Sequence, residues 1–197
     1  MGMDFTAYMS HSLKETEIIE LCSELNENST RFPLIREFID TLLPFNPEDN
    51  VRKWRTSVDR SDGTISLAGP CGISLTLSEK VCYFHHYFRW KGFLVDNEIQ
   101  QLLRNVSYGF MKTFKSSFVV YVPDNAAKES AIMDFIWEDE NKDINYMREW
   151  LLENCGLPKD NINDIYKEYE DYWDSEGYYI DYFSENDEPN KNSDLNS

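Results

Sequence analysis

The chain has 197 residues, 41% of them apolar and 15% aromatic, and a net charge of −17 from 19 Lys and Arg against 36 Asp and Glu. That length supports a domain core needing neither disulfides nor metal, and that charge argues against direct contact with a nucleic-acid backbone or an anionic membrane, both of which need a positive surface. No apolar run reaches the roughly 18 residues of a membrane-spanning helix.

The first residues, Met1-Gly2-Met3-Asp4-Phe5-Thr6, formally fit the acceptor pattern for myristoylation at Gly2. The pattern is short and common by chance, and one acyl chain would anchor so acidic a protein poorly. Residues 13–26 place Leu13, Ile18, Leu21, Cys22 and Leu25 at helical spacing. After the cap-type residues Ser29 and Thr30, PLIREFIDTLLP repeats that period and Pro44 ends it.

From Val51 the character changes. Residues 51–95 are rich in β-branched and aromatic side chains and show no helical period. Ser61-Asp62-Gly63 marks a hairpin between VRKWRTSVDR and TISLAG, because Asp-Gly supplies the positive φ of such a turn. Gly69-Pro70-Cys71-Gly72 marks a second turn, and ISLTL and VCYFHHYFRW follow as strands. Together they predict an antiparallel meander of about four strands. Asp96 or Asn97 then caps the helix EIQQLLRNVSYGFMKTF, whose buried stripe is Ile99, Leu102, Leu103, Val106 and Phe110. The next strand, SSFVVYV, is expected beside the meander in the same sheet.

The last third turns helical again over 127–137, 142–154 and 161–175, with Gly156 and Pro158 as a stop after the second helix and Asp160 or Asn161 as a cap for the third. Residues 184–197 read as a disordered acidic tail. The order predicts an α+β fold: helices in 1–50, a mainly antiparallel sheet of four to five strands, and C-terminal helices packed on it, in a single domain over 1–183.

The charge is uneven. Residues 134–197 hold 19 acids and five bases, a net −14, against −3 for the first 133. Within that third, YKEYEDYWDSEGYYIDYF (166–183) combines eight aromatic rings with six carboxylates. A helix over 161–175 buries Ile162, Ile165, Tyr166, Tyr169 and Trp173 on one stripe and leaves the acids in water. In YYIDYF, strand alternation puts Tyr179, Asp181 and Phe183 on one face and Tyr178, Ile180 and Tyr182 on the other.

Catalytic signals are sparse. The four cysteines, Cys22, Cys71, Cys82 and Cys155, show neither a CxxC pair nor a zinc-site spacing, and with no recognisable secretory leader they read as reduced thiols of a cytoplasmic protein. Neighbours on a strand point to opposite faces, so His85 and His86 do not chelate one ion; His86 falls with Cys82, Phe84, Phe88 and Trp90 on a core face, and His85 with Tyr83, Tyr87 and Arg89 on a more polar one. His85 and Arg89 are therefore the catalytic candidates. Glu138-Asp139-Glu140 with Asp143 lack the spacing and glycine of a calcium loop. No phosphate loop, dinucleotide fingerprint or hydrolase signature occurs, so no cofactor or metal is expected.

These features lead to the expectation of a non-enzymatic binding or inhibitor protein. Its acidic, Tyr-rich C-terminal face (Asp171, Tyr172, Asp174, Glu176, Tyr178, Tyr179, Asp181, Tyr182) would meet a basic protein partner. Bacterial immunity proteins and other nuclease-directed inhibitors have that surface character, because they cover a cationic active site. The alternatives are a small enzyme centred on His85, and a self-associating accessory module, monomeric or homodimeric, whose nearest compensating cations are Arg52, Lys53 and Arg55.

Overall fold

A computed structural model describes residues 3–27, 29–42, 53–61, 63–123, 126–137, 141–167 and 177–183. Its element order is β1 (Asp4–Ser10), α1 (Glu15–Glu27), α2 (Pro33–Leu42), β2 (Arg55–Asp59), β3 (Thr64–Ala68), β4 (Ser74–Leu77), β5 (Val81–Arg89), α3 (Trp90–Val95), α4 (Asn97–Phe114), β6 (Val119–Tyr121), α5 (Ala126–Ile136), α6 (Ile144–Cys155), α7 (Ile162–Lys167) and β7 (Tyr179–Asp181). The fold is α+β, as the alternation of patterns predicts. Among the described residues one sheet of seven strands runs β2-β3-β4-β5-β1-β6-β7. Every neighbouring pair is antiparallel.

The predicted meander is present as β2 to β5. The unexpected strand is β1, within a segment read as helical. It is an inner strand of the sheet, between β5 and β6, so β6 does not sit directly beside the meander. Its five inner residues are buried on both faces: Phe5, Ala7 and Met9 enter one cluster and Tyr8 the other. DFTAYMS alternates Phe5, Ala7 and Met9 with Asp4, Thr6, Tyr8 and Ser10, so the strand period is present in the sequence even though both faces are buried.

The first cluster packs α1 to α4 and α7 on one face of the sheet through Ile18, Phe38, Phe93, Leu103, Phe110 and Ile165, which meet Phe5, Leu75 and Phe84. The second packs α5 and α6 on the opposite face, where Ile132, Met147 and Leu151 meet Tyr8, Val120 and Ile180. Full burial of such side chains contributes about 1.5–3 kcal/mol each. The second layer leaves the polar face of the meander open: Ser66, Ser74 and Tyr83 are only half-buried and Tyr87 is exposed.

Local chemistry explains the joints. Asp96, one of two cap candidates, accepts from the N–H groups of Glu98 and Ile99 and starts α4. Asp143 does the same for α6, through Asn145 and Tyr146, so its carboxylate is a helix cap. In the turn over Pro70–Gly72, Gly72 has φ 76, and a Cβ there would lie 2.1 Å from the Tyr87 ring. Only glycine fits.

Candidate functional site

In the C-terminal stretch, Asp171, Tyr172, Asp174 and Glu176 lie outside the described residues. The remaining candidates are on or beside β7, which pairs with β6 and closes one edge of the sheet. The alternation is as predicted, but it leads inward on both sides. Tyr178 is buried and its hydroxyl donates to the Gly156 carbonyl at 2.9 Å. Tyr179 is half-buried and stacks on Tyr121 at 6.2 Å between ring centroids.

Asp181 is 5% exposed and accepts from Arg104 on α4, Nε at 2.8 Å and Nη2 at 2.7 Å. Two nitrogens on one carboxylate oxygen make a charge-assisted clamp. Burial opposes the guanidinium's charge, but Asp181 outweighs it and the Arg104 pKa ends above its ordinary value. Tyr121 is buried beside this pair; burial, with the Asp181 charge near it, pushes its phenol well above the usual range. Tyr178 and Asp181 therefore hold the sheet edge instead of presenting a surface. Of this group, Tyr182 alone is exposed, at 58%, packed against Phe118.

A face that the sequence reading missed lies on α6. The stripe Ile144, Met147 and Leu151 is buried. Opposite it, Asn145, Tyr146, Glu149, Leu152 and Glu153 are exposed, followed by Leu157 at 78%. Tyr146 packs edge-on against Phe135, with the Lys142 ammonium 5.1 Å from its ring centroid. Arg148 stands over Phe118, which in turn meets Tyr182. A helical wheel of residues 144–155 carries the signal, since Tyr146 and Leu152 fall off the buried stripe.

The catalytic candidates do converge. Asp4 at the start of β1 bonds Arg89 through Oδ1 at 2.7 Å, and its Oδ2 lies 3.7 Å from His85 Nε2. His85 stacks on Tyr83. This arrangement sits on the open sheet face, and Asp4 is already bonded to Arg89. At 3.7 Å its contact with His85 is too long for a hydrogen bond.

His86 is fully buried, as its strand position predicts. Its Nε2 bonds the Cys71 carbonyl at 2.8 Å and its Nδ1 accepts from the Phe88 N–H at 3.0 Å, which sets the neutral Nε2–H tautomer. Burial pushes its pKa down to about 4, against the raising effect of the Cys71 bond. The Cys71 thiol is turned away and buried, 3.7 Å from the Ile39 carbonyl, so the imidazole meets the backbone and not the sulfur.

A cleft of about 720 Å³ opens at one end of the sheet, lined by the start of α1, the β2–β3 hairpin, the β4–β5 turn and Trp137. Charges of both signs, Lys14, Glu15, Arg60 and Glu79 among them, line it. Asn141, also on its wall, donates to Glu79. Among the described residues no cluster of three His, Cys, Asp or Glu side chains is placed to hold a metal ion, and no helix is long and apolar enough to cross a membrane. No protein-family model matches the chain, and neither the curated proteins nor the solved structures yield a match.

Proposed function

We propose that the protein is a non-enzymatic binding protein whose acid-rich last third docks a basic protein partner, in the manner of an inhibitor that covers a cationic site. The observation that carries this reading is the outer face of α6. Eight large apolar side chains are exposed among the described residues, and four of them, Tyr146, Leu152, Leu157 and Tyr182, belong to the last third. Glu149 and Glu153 stand beside Tyr146 and Leu152 on the outer face of α6. Exposed aromatic and aliphatic groups supply buried area and carboxylates supply pairing with Arg or Lys, and the surrounding net charge of −14 steers encounter.

The surface part of the partner site thus shifts from Tyr178 and Asp181 to α6 and Tyr182. Asp171, Tyr172, Asp174 and Glu176 stay in the proposal on sequence grounds alone. The test is capture of partners from the native lysate by the immobilised protein, at low and then moderate salt. A Glu149→Lys/Glu153→Lys variant serves as control, because its substitutions are exposed and leave the core intact. Retention of one basic protein, weakened at least tenfold by the variant and by salt, is the expected result. Equal capture by both forms, or no basic protein at all, overturns the reading.

A further inference from the structure

The opposite edge of the sheet carries a second surface. All five residues of β2, Arg55 to Asp59, are exposed, and among the described residues β2 is the terminal strand, paired with β3 only. A terminal strand presents a row of N–H and C=O groups to any strand that approaches it. This one is held rigidly in place. Trp54, just before it, exchanges two hydrogen bonds with the Asn26 side chain, at 2.9 and 3.0 Å, and buries its ring against Gly69 and Phe110. After it, Asp59 accepts from the Ser61 N–H and hydroxyl and shapes the hairpin turn.

We propose that β2 is a homodimerisation edge, pairing antiparallel with β2 of a second copy about a two-fold axis at Ser57. The sequence Arg-Thr-Ser-Val-Asp is self-complementary in that register alone. Ser57 faces Ser57, Thr56 of each copy faces Val58 of the other, and Arg55 of each faces Asp59 of the other. Opposite charges directly across an antiparallel pair are favourable and like charges unfavourable, so the central register gains two cross-strand ion pairs. The other face gains cover for Val58, which is 39% exposed in the single chain.

A two-fold contact is closed, so it stops at two copies. It also fits the overall charge. The strands stack about 4.8 Å apart, which puts β7 at the acid-rich end roughly 29 Å from β2, well beyond the screening length of about 8 Å at physiological salt. The β2 end itself contributes Lys53, Arg55 and Arg60 against Asp59. The joined sheet has fourteen strands, with the two β7 edges at its far ends and the α6 faces left free. This inference is independent of the partner reading.

Sedimentation velocity over a hundredfold concentration range tests it. The contact is small, so the expected dimer is a weak, concentration-dependent one. Arg55→Glu, which sets a carboxylate opposite Asp59 twice, should raise the dissociation constant at least tenfold with an unchanged circular dichroism spectrum. The register is read separately by crosslinking in a Cys155→Ser background. Ser57→Cys should form a disulfide dimer quickly under mild oxidation, because only position 57 meets itself. Thr56→Cys, which meets Val58, should do so far more slowly. A chain that stays monomeric throughout, a dimer indifferent to Arg55→Glu, or equal crosslinking at 56 and 57 overturns the proposal.

Discussion

Each edge of the sheet carries an arginine and an aspartate, in opposite surroundings. At β7, Asp181 is buried against Arg104 and locked between two helix-backed clusters. At β2, Arg55 and Asp59 stand on a strand with no buried residue. Burial decides what a charge does. Out of water it must be matched within its own chain, at a cost that makes the match structural. In water it is worth little to its own fold and stays within reach of another molecule. The same residue types thus mark a clamp on one side of the molecule and a contact surface on the other.

The largest expected effect breaks the clamp. Arg104→Ala leaves Asp181 buried without its partner and should cost about 3–5 kcal/mol in urea unfolding. Replacing both, as Arg104→Met with Asp181→Leu, should recover most of that loss, because the desolvation cost of both charges goes with them. A single-variant loss under about 1 kcal/mol would mean that Asp181 is solvated. It would then be available to a partner, and the contrast between the edges would collapse.

A second effect sharpens the contrast through pH. The meander half is tied by uncharged polar contacts, above all His86 on β5 to the turn at Cys71. Protonation at Nδ1 would aim a proton at the Phe88 N–H that now donates to it. The folded pKa is about 4 against an ordinary 6.5, so the unfolded chain takes up the proton first. Stability from this group is fully present above about pH 6.5, falls as pH drops through that window, and is lower by about 3 kcal/mol at pH 4. His11 acts in the same direction, its pKa lowered by burial although its Nε2 bonds the Ser78 carbonyl. Urea midpoints from pH 7.5 to 4.5 should fall steeply for the native chain and less for His86→Gln. A flat native profile would remove His86 as a tie.

How much of this was legible in the sequence divides along the same line. The meander, the α4 cap at Asp96 and the stripe Leu103, Val106 and Phe110 follow from local pattern, and local pattern is what these elements obey. β1 was within reach, since Phe5, Ala7 and Met9 alternate with Asp4, Thr6, Tyr8 and Ser10, but the stronger helical period of 13–26 next to it dominates the pattern of the first fifty residues. For Asp181 the sequence gives its strand face but not its depth. That depth depends on Arg104, 77 residues away in the chain. The exposed face of α6 was within reach, since the wheel of 144–155 carries it, but the density of acids and rings in 166–183 drew attention elsewhere.

The smallest expected effect is the most discriminating for β2. At dilutions where the chain is a single copy, Arg55→Ala should move the melting temperature by no more than about 2 °C. An exposed arginine on an edge strand gives up little packing and only a screened charge. The same substitution at concentrations that favour the dimer should lower the melting temperature more, since association stabilises the folded chain by mass action. A concentration-independent shift well above 2 °C would place Arg55 in an intramolecular contact. The β2 edge would then resemble the β7 edge, a charge matched at home, and the basis for self-pairing would be gone.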